Sequence, residues 1–453
     1  MQTLRTARGL LADVVRLLRA RWGLLIGWYC LGWAVHQGCL FLSALLGVDH
    51  AVLANLVFVV GVVARLLSLV LMIQALEPAL GFAALRPARE PVDGADPPTG
   101  LRIPASVFER HGPWQTAALA IGPFLAVYAV WGFVEDEVRD LFVANYTVLG
   151  LGDVTRWSIS LDPARWRFYL ATAVAGWLVR TLAEQLRRRR PGRPLDAVAV
   201  LAEGVWTFGV FVLVVIAAKA VRGWLQTRVV TLELLTAWQT LLDLVPDWRL
   251  PFGPTLSQLL DTLVRVAPGA VGTVLLLPLM WLALTATVFG WRDIRADEVV
   301  AGTRLEARVR RLTAAGSAPR DPLAWVARTA TSDLRTKYLP VAQAFRLVLA
   351  AGPRLVGVYL VLATLLASVA NLLAIGLTVL VGPTDQAVGL LLDPLEQLLV
   401  SLPVTVVSVT LYGAGFDRAV VVATRGPGED GDPTTTPAPA PAAPGPAPAV
   451  SHP

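Results

Sequence analysis

Thr147-Val148-Leu149-Gly150-Leu151-Gly152-Asp153 sets two glycines at alternate positions behind a threonine. Glycine admits backbone conformations that a side chain resists. A run of this kind can turn successive main-chain carbonyls to one side and hold a dehydrated cation by oxygen alone. The residues ahead of it, 138–146, read as a short mixed helix whose carbonyl end would point at such an ion. A second kind of chemistry sits inside or beside long apolar runs, at Arg65, His36, Glu203, Arg180, Glu184 and Asn371. A charge in hydrocarbon is costly unless it is paired, wetted or able to reach the interface, so each such residue marks a place to look.

Arg65 falls near the middle of its run, with Glu203 and Glu184 as the acids near other runs that are free to pair with it. It reads as part of a substrate or ion pathway, or as half of a structural ion pair. His36 is a proton-relay candidate, and with Gln37 beside it the alternative is a hydrogen bond between helices. Asn371 carries that second reading alone. Arg180 is placed to snorkel to headgroups from the inner end of its helix.

The elements that must position these residues are apolar helices. The 453 residues are 55% hydrophobic, with a mean hydropathy of +0.60. A bilayer crossing needs about 20 mostly apolar residues, and the continuous, non-alternating runs exclude a β-barrel. The expected fold is all-α: a polytopic integral membrane protein with about eight transmembrane helices, at 22–46, 51–76, 114–134, 166–186, 197–221, 266–290, 355–381 and 398–416. Residues 1–21 read as an Arg-rich amphipathic helix lying in the headgroup plane on the cytoplasmic side. Residues 22–424 form the membrane domain, with outer loops at 135–165 and 222–265 and a cytoplasmic loop at 291–346 that carries a surface helix near 301–313. A further interfacial stretch is expected at 341–352. The Pro- and Ala-rich tail, 425–453, cannot form a core and reads as disordered.

Arginines gather in the N-terminal segment and in the 77–113, 187–193 and 291–346 loops, which puts both termini in the cytoplasm of a bacterial inner (plasma) membrane. The formal charge of +6 thus orients the chain in lipid and does not indicate nucleic-acid binding. Six tryptophans at run ends, Trp22, Trp114, Trp131, Trp166, Trp224 and Trp291, make an aromatic belt.

Between the runs at 114–134 and 166–186, the loop resembles the pore loop of potassium channels, whose filter usually reads T-T-V/L-G-Y-G-D. Thr147, Leu149, Gly150, Gly152 and Asp153 match it position by position. Val148 stands where the family has a threonine, and Leu151 where it has an aromatic. The resemblance covers under a fifth of the chain. It implies an outward-facing pore conducting a monovalent cation in a homotetramer, with Gly176 as the inner-helix hinge. Arg180, one turn later on the same face, would oppose cation passage. The alternative is an ordinary glycine turn.

Other chemistry is excluded motif by motif. There is no GxxxxGK[ST], HExxH or CxxC, so no enzyme activity, metal or cofactor is expected. Cys30 and Cys39 read as small buried residues. Glu135-Asp136-Glu137 reads as a solvated turn, and the sequon Asn145-Tyr146-Thr147 as accidental in a chain of bacterial composition. Besides the channel, two readings stand. One is a secondary transporter or exporter subunit using Arg65, His36 and Glu203 around an inner cavity. The other is a non-transporting cell-envelope assembly protein.

Overall fold

The structure is a computed structural model that describes residues 2–47, 49–81, 113–150, 166–189, 193–246, 248, 255–289, 345 and 351–424. Leu151, Gly152, Asp153, the surface helix expected near 301–313, most of 341–352 and the tail from 425 lie outside the described residues.

The chain forms α1 (Gln2–Gly47), α2 (Ala51–Leu76), α3 (Pro113–Val130), α4 (Phe133–Leu149), α5 (Trp166–Arg189) and α6 (Arg193–Gln226). It continues with α7 (Val229–Asp243), α8 (Leu256–Val271), α9 (Leu277–Val288), α10 (Pro353–Val381) and α11 (Gln386–Thr424). Among the described residues, 6 helical stretches are long and apolar enough to cross a membrane, in α1, α2, α6, α8–α9, α10 and α11.

α1 departs from expectation. The amphipathic N-terminal stretch does not form a separate helix but is continuous with the first apolar run, giving one helix of 46 residues, about 69 Å long. The reason is packing. Leu10, Val14 and Leu17 are spaced on one helical face and are buried in the core. Polar contacts fasten the same face. Asp13 accepts a 2.7 Å bond from Arg418 of α11, and Arg16 donates to the carbonyl of Ala79 just past α2 at 3.2 Å.

α1 and α2 form a close antiparallel pair, because small residues let the backbones approach. A Cβ on Gly61 would lie 2.7 Å from that of Cys39, and Gly32 faces Ser68 with no room for one. α6 closes on α2 through Gly204 against Val63. α5 lies along α6, where a Cβ on Gly176 would meet the backbone nitrogen of Trp206 at 2.8 Å. Gly176 is thus a close packing contact between α5 and α6.

α3 ends at Val130, short of the expected 134, because Gly132 takes a left-handed conformation (φ 78°) and starts α4 in a new direction. Between α8 and α9 the helix widens into a π turn at Gly272–Leu276. Pro278 follows, and its ring would clash with the carbonyl four residues back in a regular α-helix, so the wider turn accommodates it. The Gly272 carbonyl accepts the Trp131 indole N–H at 3.1 Å, and Tyr359 of α10 donates to the Pro278 carbonyl at 2.7 Å.

Outside the spans, Asp261 on α8 accepts bonds from Arg265 at 2.8 Å and from the Trp238 indole of α7 at 3.1 Å. These bonds, Arg265 first, hold its carboxyl below the usual carboxylate range. The tie between α7 and α8 is thus present at neutral pH and lost only as pH falls through that lowered value.

The glycine contacts make a paired prediction. Gly176→Ala should lower the melting temperature of the detergent-solubilised protein, because overpacking costs about 1–3 kcal/mol. Gly357→Ala, where nothing lies within 4 Å, should leave it unchanged or raise it, since alanine is the better helix former. Differential scanning fluorimetry checks both.

Candidate functional site

α4 is the element on which the site depends. Its residues Glu137, Leu141, Ala144 and Asn145 recur at helical spacing and are buried, while Glu135, Asp136 and Arg139 face outward. Glu137 is 2% exposed, in contrast with its two acidic neighbours and with the solvated turn expected of all three.

Glu137 divides its carboxylate between two helices. Oε2 lies 2.6 Å from Nε2 of His36 on α1, and Oε1 accepts a 3.0 Å bond from Nη1 of Arg65 on α2. Asp140, one turn further along α4, stands 4.0 Å from the same Arg65 nitrogen. Its other oxygen accepts a 3.3 Å bond from Gln397 of α11, which also donates to Asp393 at 2.9 Å. Ser401, one turn on, donates to the Gln397 carbonyl and meets the Tyr29 hydroxyl of α1 at 2.6 Å. Four helices are thus joined by one polar chain. Its second anchor is at the far side of α4, where Lys219 of α6 pairs with Glu135 at 2.7 Å.

The network separates two spaces. On one side is a cavity of about 220 Å³, lined by Arg65, Tyr29, Trp33, Tyr128, Trp281 and Ser408 among others. The Trp281 and Tyr412 rings stack there, 5.9 Å apart and 8° from parallel. On the other side is a crevice of only about 10 Å³, lined by Gln37, Phe41, Asp140, Thr147, Asp393 and Gln397. That is roughly the minimum that holds a single water.

Several expected site residues lie elsewhere. Arg65 does not pair with Glu203 or Glu184; its carboxylate partners are Glu137 and Asp140. Glu203 binds Arg180 across the α5–α6 interface at 2.7 Å, and Glu184 meets Arg180 at 3.3 Å. Thr207 adds a 3.3 Å bond to Glu203. Arg180 is 12% exposed, held by this cluster instead of snorkelling to headgroups. Asn371 is exposed on α10, with no side-chain hydrogen bond to another helix among the described residues.

The expected ion-binding loop is described only as far as Gly150. The short helix does not stop at 146. Thr147, Val148 and Leu149 continue it, and the Thr147 hydroxyl bonds back to the Val143 carbonyl at 2.8 Å. Gly150 caps the helix at φ 66°, donating to the Tyr146 carbonyl at 2.9 Å. Helical carbonyls point along the axis, so Thr147, Val148 and Leu149 do not present a row of oxygens to one side.

Glu137 and Asp140 were legible in principle. Reading α4 at a period of 3.6 puts Glu137 on the apolar face with Leu141 and Ala144, and this signal distinguishes it from Glu135 and Asp136. Asp393, Gln397 and Ser401 recur at i, i+4 and i+8 on one face of α11, a polar stripe that the apolar runs around it conceal.

Removing one member of a buried charged set leaves its partners uncompensated, at a cost of about 3–5 kcal/mol. Glu137→Ala should therefore lower thermal stability sharply. Pairing Glu137→Leu with Arg65→Met should restore much of the loss, as thermal unfolding in detergent would show. No known family model, curated protein or solved structure matches this chain.

Proposed function

We propose that this chain is a membrane transport protein, a carrier for a small solute, in which the Arg65–Glu137–His36 cluster is the internal gate. The supporting observation is the order of residues along three helices. On α1, Tyr29 and Trp33 line the cavity, His36 is in the gate, and Gln37 and Phe41 line the crevice. α2 runs the other way, with Arg65 in the gate and then Ser68, Leu69 and Ile73 in the cavity. On α11, Asp393 and Gln397 line the crevice, and Thr405, Ser408 and Tyr412 line the cavity.

In this reading all three helices carry the cavity toward the membrane face that holds the start of α1 and the end of α11, and the crevice toward the opposite face. Two spaces on one line, one wide and one narrow, with a breakable charged contact between them, are the parts an alternating-access carrier needs. In this reading α3 and α5 complete about eight spans, both termini are cytoplasmic, and the protein lies in the plasma membrane. The cavity faces inward. The helical course of Thr147–Leu149 gives no support to cation conduction through that loop.

The test uses a background with Cys30→Ser and Cys39→Ser, and Ser408→Cys as a reporter in the cavity. In oriented membrane vesicles, a membrane-impermeant maleimide should modify the reporter from the cytoplasmic side alone. Adding Glu137→Gln should open the gate and raise modification from the outer side by about ten-fold. Sidedness unaffected by Glu137→Gln would rule out the gate.

A further inference from the structure

We propose that the cavity takes a small organic anion with an apolar, aromatic-sized body, and that Arg65 receives its carboxylate. This rests on the carrier reading for its biological purpose but not for its chemistry. Among the described residues lining the cavity, Arg65 is the one that carries charge. Its bonds to protein carboxylates run through Nη1 alone. One third of its side chain remains exposed, at 33%. A guanidinium offers five donors in a planar fork that matches a carboxylate at two points. Glu137 occupies one corner of the fork, and the rest is available from the cavity side.

The walls fit the rest of such a molecule. Trp33, Tyr128, Phe133, Trp281 and Tyr412 supply flat apolar surface, and Tyr29, Thr405 and Ser408 supply hydroxyls. A volume of about 220 Å³ exceeds the roughly 150 Å³ of an apolar cavity that holds benzene, and so suits a small ring with one substituent. The acidic groups near Arg65, Glu137 and Asp140, approach it from α4, and Asp140 lines the crevice rather than the cavity. A solute in the cavity therefore meets the positive end of the ion pair.

A lipid headgroup cannot supply the anion. Arg65 is 14 residues after Ala51 and 11 before Leu76, or about 21 and 16 Å from the ends of α2, near the depth of the bilayer centre. The anion would also compete with Glu137 for the guanidinium. Occupancy of the cavity thus weakens the contact that closes the far side, which couples binding to opening.

The experiment compares three probes of one shape, benzoate, benzyl alcohol and benzylammonium, on the full chain in detergent. The readout is thermal unfolding. Millimolar benzoate should raise the melting temperature by roughly 2–5 °C in a saturable way, and the alcohol and the ammonium should not. Arg65→Gln should abolish the rise and Arg65→Lys should weaken it. Ser408→Trp fills the cavity while leaving the ion pair intact, so it should abolish the rise even if Arg65→Gln fails to fold. Absence of a benzoate effect, an equal effect of either uncharged or cationic probe, or a benzoate effect that survives Ser408→Trp would overturn the assignment. A sidedness switch in the vesicle assay without benzoate binding overturns the anion class alone. Benzoate binding without a sidedness switch keeps the site and overturns the carrier.

Discussion

One carboxylate, that of Glu137, organises the interior. It is 2% exposed and touches both an imidazole and a guanidinium from different helices. A carboxylate taken out of water is tolerated only when its lone pairs are met and its charge is balanced. α4 must therefore dock so that Glu137 reaches α1 and α2 together, and this fixes where α4 lies. From that position Asp140 reaches Gln397 of α11, and the crevice and the cavity fall on opposite sides of Arg65. The same cost means that any competitor for the guanidinium changes the energy of the whole set.

Close helix packing supports this arrangement. In lipid, helices gain little from hiding apolar surface from one another, so contact depends on small residues and on polar pairs. The protein uses both in alternation. Gly32, Gly61 and Gly204 bring α1, α2 and α6 together around the Glu137 cluster. Arg180 with Glu203 and Glu184 fastens the α5–α6 pair as a second buried charge cluster. That second cluster explains how α5 is stabilised although it is too charged to count among the apolar helices.

Much of the architecture was legible from apolar runs alone, because a length near 20 residues and the absence of alternation leave helices as the answer. Arg65 and His36 were legible as sites because a charge inside such a run is conspicuous. Their partner was not, because Glu137 sits in an acidic triplet that resembles a surface turn until it is read at helical period. Glu203 and Glu184 were plausible partners for Arg65 by burial, but sequence does not say which helices are neighbours, and Arg180 was nearer. The TVLGLGD stretch is ambiguous for a related reason. Gly150 serves there as a helix-ending glycine, and a C-cap and an alternating-glycine filter share that residue. α1 was split in two because an Arg-rich amphipathic stretch reads as interfacial. Only the burial of the stripe Leu10, Val14 and Leu17 in the core shows why the helix runs on.

The central claim is that Glu137 sits between His36 and Arg65 and closes the bundle at that level. A cryo-electron microscopy map of the full chain in lipid nanodiscs, resolved well enough to place side chains, tests it most directly. The account predicts continuous density from the Glu137 carboxylate to both partners, with α4 helical through Leu149. A map in which α4 lifts away from α1 with Glu137 in water would contradict it, as would one with residues 147–153 extended around an axis shared by four chains.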